Sequence, residues 1–400
     1  MKQRNKHLYN GEYAAMNCVN WMLYCVLFSF ASVFLLDRGY SNTRIGIILA
    51  MGNVLAMPLQ PALAQVADRS RKIGLQGLLT GMVVFMAVMV LLILLISGQS
   101  PALAVVYVLA LMAMQGIQPL VNSFSFYLES WGVPMNFGIC RAVGSLGFSM
   151  ISVILGNLVK AMGTIAVPVT GMVLLALFLL ILLVFYLQRG DSGKKEAVAA
   201  EEETQTAGTT SLAGFFRAYP KYTRFLVGVA LIFAGHTFIQ NFVMQLVQHV
   251  GGDSADMGTL CSVNALLEMP AMLAFSLLTR RFKCTTLLRT SLVVFTVKIA
   301  LALVAKDLAG LYLSTALQLV GYALFIPASV RYANDVMAPE DAVKGQAFIT
   351  TMITLGAIFS SLAGGRIIDV TGMTAALGLF LVLSVIGTAV ALTGVEKTEA

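Results

Sequence analysis

Residues 73–97 read IGLQGLLTGMVVFMAVMVLLILLIS, which is 25 consecutive residues without a charged side chain. An α-helix rises 1.5 Å per residue, so about 20 apolar residues cross the ~30 Å hydrocarbon layer of a bilayer. A helix satisfies every backbone amide inside such a segment, whereas a β-barrel strand would alternate apolar and polar residues. This stretch therefore predicts a transmembrane helix.

Apolar blocks of this length recur along the whole chain. The 400 residues are 58% hydrophobic and 11% charged, whereas a soluble domain carries about 25% charged residues. We therefore predict an all-α membrane protein with twelve transmembrane helices. The predicted spans are 14–36, 43–66, 73–97, 102–127, 138–160, 164–187, 222–248, 256–279, 284–305, 309–332, 345–367 and 373–394.

One charged segment interrupts this pattern. Residues 188–221 are rich in charged and small side chains, which cannot bury apolar surface, and we predict a flexible cytosolic linker there. It separates an N-terminal six-helix half, residues 1–187, from a C-terminal six-helix half, residues 222–400. The linker thus predicts two halves of equal helix number.

The two halves also match each other weakly at a constant offset of 209 residues. Two six-helix halves related in this way are a known transporter architecture, and small residues allow close helix contacts. The matched positions are Pro61 and Pro270, Ala62 and Ala271, Arg71 and Arg280, Leu146 and Leu355, Gly147 and Gly356, and Gly156 and Gly365.

The basic balance, 26 Lys and Arg against 19 Asp and Glu, follows the membrane topology. With the N-terminus inside, 19 Lys and Arg residues fall on the cytoplasmic side and five on the opposite side. This asymmetry predicts a multi-pass protein of the cell membrane, the inner membrane in a bacterium, with both termini cytoplasmic. We expect no nucleic-acid partner. The residues on the opposite side are Arg38, Arg44, Lys160, Lys306 and Arg366.

The sequence gives no indication of an enzyme. It has no phosphate loop, metal-ligand spacing or activated nucleophile motif, so we expect no catalytic residue, metal or cofactor. The five cysteines lie in or beside spans and are expected to act as small apolar residues. They are Cys18, Cys25, Cys140, Cys261 and Cys284.

Four ionisable residues within the spans are candidates for proton coupling. Glu268 and Lys298 are predicted near the middle of the bilayer, where a charge is costly and usually faces a partner or a water-filled path. They could form a static ion pair instead. Arg141 could extend into the headgroups, and His236 could equally be a packing residue.

Polar side chains at helical spacing are candidates for solute binding, because amides and phenols suit hydroxyls and heterocycles. Asn and Gln also tie helices together in membranes, and this second interpretation stays open for each of them. The candidates are Asn20, Trp21, Tyr24, Gln115, Asn122, Gln240, Asn241, Asn264, Gln318 and Tyr322.

Several motifs resemble those of the major facilitator transporters. SNTRIGIILAMGNVLAMPLQPALAQVADRSRK, residues 41–72, is similar to their helix 2 signature, and FGICRAVGSLGF, residues 137–148, resembles a helix 5 motif. The helix 5 motif belongs to the subgroup of lactose permease, nucleoside proton symporters and phenylpropionate permease. ALLEMP, TVKIAL and QLVGYALF, around Glu268, Lys298 and Gln318, follow in the order of that subgroup's later motifs.

The resemblance implies proton-coupled uptake of a small organic solute such as a sugar, glycoside or nucleoside, by a monomer that binds protons, its solute and lipid. In the loop signature, Asp68, Arg69 and Arg71 would act as a gating clamp. The chain departs from the subgroup at Gly321, where His is frequent, and at Lys298, where Arg is usual. Efflux of amphipathic compounds and a non-transporting receptor remain the alternatives.

Overall fold

The computed structural model describes residues 3–69, 74–129, 133–188 and 212–396, and these contain no β-strand. The predicted linker 188–221 lies largely outside the described residues. The helices are α1 (Gln3–Tyr24), α2 (Ala31–Asp37), α3 (Asn42–Arg69), α4 (Leu75–Leu95), α5 (Pro101–Glu129), α6 (Phe137–Met162), α7 (Ala166–Gln188), α8 (Leu212–Ala218), α9 (Pro220–Asn241), α10 (Val243–His249), α11 (Ser254–Leu278), α12 (Cys284–Val304), α13 (Leu308–Ala316), α14 (Tyr322–Val336), α15 (Pro339–Thr371) and α16 (Met373–Gly394).

The predicted all-α membrane fold is confirmed. In the described part of the chain, 11 helical segments are long and apolar enough to cross a membrane, and each overlaps one predicted span. The remaining predicted span, 256–279, corresponds to α11, a helix of 25 residues. The chain is therefore a multi-pass membrane protein.

The chain forms two compact units. One contains Met1–Tyr40 and Met51–Thr204, and the other contains Ser41–Ala50 and Gln205–Ala400. Helix α3 is therefore divided, because its first turns pack with the C-terminal unit and the rest belongs to the N-terminal unit.

Glycines let helices approach closely inside each unit. In the N-terminal unit, a Cβ added to Gly147 would lie 2.5 Å from Cys18 Sγ on α1. In the C-terminal unit, a Cβ on Gly356 would lie 2.7 Å from the Ala230 carbonyl oxygen on α9. The offset of 209 relates these two glycines, and both allow close packing between the first and fifth spans of their own unit.

Three spans are broken near their middle. A π-helical turn, Cys25–Ser29, separates α1 from α2, and a 3₁₀ turn, Leu317–Leu319, precedes α14. The third break is at Phe242, between α9 and α10. Such irregular turns in a helix often mark hinges or functional sites. The break before α14 matters most, since it positions Gln318.

Candidate functional site

A hydrogen-bonded chain of three side chains crosses the C-terminal unit. Lys298 on α12 is 3% exposed, and its Nζ donates to Gln318 Oε1 at 2.5 Å. Gln318 Nε2 in turn donates to Glu268 Oε1 on α11 at 2.8 Å. The structure thus brings together the two charged residues that the sequence singled out, with the Gln318 amide as the bridge.

The geometry explains how this site tolerates a buried cation. The Gln318 amide presents its oxygen to the ammonium and its N–H to the carboxylate, so each polar end meets a complementary charge. Ser314 Oγ also donates to the Lys298 carbonyl oxygen at 2.8 Å, which fixes α13 against α12. The Gln318 amide therefore links a buried ammonium to a partly exposed carboxylate.

His236 on α9 lies beside this chain inside an aromatic cluster. Its ring stacks on Tyr322 with centroids 5.3 Å apart and an interplanar angle of 20°. Phe295 and Phe233 contact it edge-on, with centroids 5.0 Å and 5.6 Å away. The side chain is 1% exposed, and neither ring nitrogen has a hydrogen-bond partner among the described residues.

The other predicted residues of this unit differ in their surroundings. Asn241 Nδ2 donates to Ser361 Oγ at 2.8 Å, and this bond ties α9 to α15. Gln240 is exposed, and Asn264 is partly exposed one turn before Glu268 on α11. Asn241 is therefore a helix tie in this structure, as amides in membranes often are.

In the N-terminal unit, an Arg side chain covers the predicted Trp. The Arg141 guanidinium carbon lies 3.9 Å from the Trp21 ring centroid, within the range of a cation–π contact. Arg141 Nη1 also donates to Ser145 Oγ at 3.1 Å. Tyr24 contacts the Trp21 ring at 5.5 Å and stacks on Phe28 at 5.0 Å. Arg141 therefore points into an aromatic cluster on α1.

Amides line the same unit between α1, α3 and α5. Asn20 Nδ2 donates to Gln118 Oε1 at 2.9 Å. Gln115 Nε2 donates to Asn53 Oδ1 at 2.7 Å. Asn20 Oδ1 and Asn122 Oδ1 are buried with no hydrogen-bond partner in the described structure. These two acceptors could receive hydroxyl or amine groups. The sequence analysis did not select Asn53, which is one of three amide residues in the span 43–66.

Two of the predicted gating residues, Asp68 and Arg69, are the last residues of α3. Arg71 and the side chains of Asp68 and Arg69 are outside the described residues. Their role stays a prediction.

The opposite end of α3 carries a contact that the sequence did not predict. Asp369 Oδ1, near the end of α15, accepts from Asn42 N and Nδ2 at 3.0 Å and 2.9 Å. Its Oδ2 accepts from Thr43 N and Oγ1 at 2.7 Å and 2.6 Å. One carboxylate therefore binds four donors in the first turn of α3, where backbone N–H groups have no partner inside the helix.

The chain is similar in sequence to known proteins. The family model described as MFS_1 like family matches residues 23–378. Maltose permease from Geobacillus stearothermophilus is 27% identical over 376 residues, which cover 92% of this chain and 89% of that protein.

Solved structures share the fold at low identity. Two crystal structures of the nucleoside transporter NupG match with TM-scores of 0.81 and 0.77, at 15% and 14% identity. They cover 97% and 96% of this chain, and 100% and 98% of theirs. A bacterial homolog of the human lysosomal transporter Spinster, in an inward-facing conformation, gives a TM-score of 0.70 at 13% identity, with 98% of each chain covered.

Proposed function

The chain belongs to the MFS_1 like family and is a major facilitator transporter, and we propose that it couples proton movement to the uptake of a small sugar or glycoside. The proposal of proton coupling is supported by the hydrogen bonds that join the side chains of Lys298, Gln318 and Glu268. The solute class rests on the relatives together with the amide and aromatic residues of the site.

Proton coupling would work through the charge balance of these three hydrogen-bonded side chains. A proton on Glu268 removes its negative charge and weakens the hydrogen bond that it accepts from Gln318. Lys298 then loses the countercharge that stabilises it. The conformations of the transport cycle would differ in the free energy with which they accommodate the unbalanced ammonium. Protonation of Glu268 would therefore shift the equilibrium between them by that difference. One proton could thus bias the transport cycle.

The solute class follows from shared chemistry. One relative is a maltose permease and the closely superimposing NupG is a nucleoside transporter, so both names refer to ring compounds that carry hydroxyl groups. Specific binding sites combine apolar and aromatic walls with a few placed polar groups. Trp21, Tyr24, Asn20 and Asn122 supply such groups in the N-terminal unit. An amide-rich set favours a polar solute over the amphipathic compounds of an efflux pump.

We propose that both termini are cytoplasmic, because the Lys and Arg distribution predicts it. We propose a linker over residues 188–221 between halves 1–187 and 222–400, and a monomeric protein. We also propose that Asp68, Arg69 and Arg71 act as a gate outside the solute site.

The test is Glu268→Gln in proteoliposomes with labelled maltose. This change removes ionisation and nearly preserves shape, so proton-driven accumulation should fall to background while maltose counterflow continues. Glu396→Gln is a matched control, because Glu396 forms an exposed ion pair with Lys221 at 3.4 Å, and such pairs contribute little. Full accumulation by Glu268→Gln would contradict the assignment, and absence of maltose counterflow in the unmodified protein would contradict the solute.

A further inference from the structure

The two ring nitrogens of His236 are the starting point. The side chain is 1% exposed, and both nitrogens lack a hydrogen-bond partner in the described structure. Buried polar side chains nearly always have partners, and an unmade hydrogen bond at a buried group is destabilising. If His236 served only in packing, this destabilisation would have no compensating gain. A Phe side chain would fill the same aromatic cluster without any unmade hydrogen bond.

The charges around the ring define what could bind it. Lys298 on α12 already donates to Gln318, and Glu268 on α11 already accepts from Gln318, so these three side chains bond to one another. A neutral imidazole offers one N–H donor and one nitrogen acceptor. A hydroxyl group can match either one, and two hydroxyl groups on opposite sides of the ring can match both.

One of the three aromatic neighbours of the ring is placed to move. Phe233 and Phe295 are fully buried, whereas Tyr322 is partly exposed and lies flat on the imidazole. Tyr322 is also the first residue of α14, directly after the 3₁₀ turn and Gly321, whose ψ of −88° departs from the helix. Residues at such breaks absorb conformational change. Tyr322 therefore covers His236 from the side of the break before α14.

We propose that His236 is a concealed ligand for solute hydroxyl groups and that Tyr322 is its movable cover. When Tyr322 leaves the imidazole, the two ring nitrogens accept and donate hydrogen bonds to a sugar. Gln318 lies four residues before Tyr322, across the helix break, so the cover adjoins the Lys298 and Glu268 chain. This inference rests on the proposed sugar transport and adds one residue of the binding site to it.

Binding measurements separate a ligand from a packing residue. His236→Phe keeps an aromatic ring in the cluster and removes both nitrogens, and His236→Gln keeps a donor and an acceptor. The loss of one or two hydrogen bonds should weaken maltose affinity in counterflow about 10- to 100-fold for His236→Phe. His236→Gln should retain part of the affinity. Affinity equal to the unmodified protein in His236→Phe would overturn the ligand role, even with transport intact.

Chemical labelling tests the cover without relying on transport. Diethyl pyrocarbonate modifies accessible imidazoles, and peptide mass spectrometry can compare His236 with the exposed His249 of the same molecule. Tyr322→Ala should raise the labelling rate of His236 about tenfold or more relative to His249, as expected when a local cover is lost. Tyr322→Phe keeps the stacked ring and should leave labelling slow. Equal His236 labelling in Tyr322→Ala and the unmodified protein would overturn the cover, whatever the maltose assay shows.

Discussion

Asp369→Asn should release the first turn of α3. The carboxylate accepts four hydrogen bonds, two from backbone N–H groups and two from side chains of Asn42 and Thr43. An Asn side chain has one acceptor oxygen, so it can serve one of these residues, while its NH₂ group faces the donors of the other. The substitution therefore removes about half of the contact and all of its negative charge.

The change in the local opening equilibrium of α3 follows from the number of hydrogen bonds lost. Asp369 is exposed, so each hydrogen bond is taken at the ordinary net value of about 0.5 to 1.5 kcal/mol. Two lost bonds give about 1 to 3 kcal/mol, or about a 5- to 150-fold change in the local opening equilibrium. A carboxylate at a helix N-terminus adds a smaller favourable interaction with the helix dipole.

Amide hydrogen exchange measures this opening directly. The Asn42 and Thr43 amides are bonded to Asp369, whereas the Arg44 and Ile45 amides are bonded to Ser41. Exchange should therefore accelerate at Asn42 and Thr43 by the stated factor and change less at the next two amides. Asp335→Asn, in a half-exposed pair with Arg331, is the control. Unchanged exchange at Asn42 and Thr43 would refute the reasoning.

Two further predictions concern stability. Lys298→Ala alone should lower the melting temperature, and the double variant with Glu268→Gln should recover part of the loss, because it removes the orphan carboxylate; a double-mutant cycle with additive losses would show that the pair is uncoupled. Gly356→Ala should destabilise the protein by about 1 to 3 kcal/mol, since its Cβ meets α9 backbone at 2.7 Å. Gly378→Ala on α16 has open space around its Cβ and should be tolerated; equal melting temperatures for these two variants would contradict the close-packing argument.

The sequence was sufficient for the membrane fold. Each predicted span overlaps a described helix, because the thickness of the hydrocarbon layer imposes a length and an apolar composition that are visible locally. The offset of 209 also paired Gly147 with Gly356, and both permit close helix contacts. Helix breaks were not predicted, since the segments Cys25–Ser29 and Leu317–Leu319 remain apolar or carry a single amide.

The candidate site could be predicted only in part. Glu268 and Lys298 stand out in sequence, because an ionisable group deep in a membrane is energetically costly and usually faces a partner or a water-filled path. Asn53 and Asp369 did not stand out, since an amide in a span and a carboxylate near a span end are ordinary. Their partners are Gln115 and the first turn of α3.

The sequence by itself determined that lipid surrounds the spans, and it determined the number and length of the spans. It also determined which ionisable residues are energetically costly to place inside a membrane. Those properties depend on composition within single segments. Only the tertiary structure decided that Gln318 joins Lys298 to Glu268, that Tyr322 lies over His236, and that Asp369 holds the start of α3. The hydrogen-bonded partners among these residues lie 20 to 327 residues apart along the chain. A hydrogen bond depends on side-chain distance and direction, and helix packing sets both.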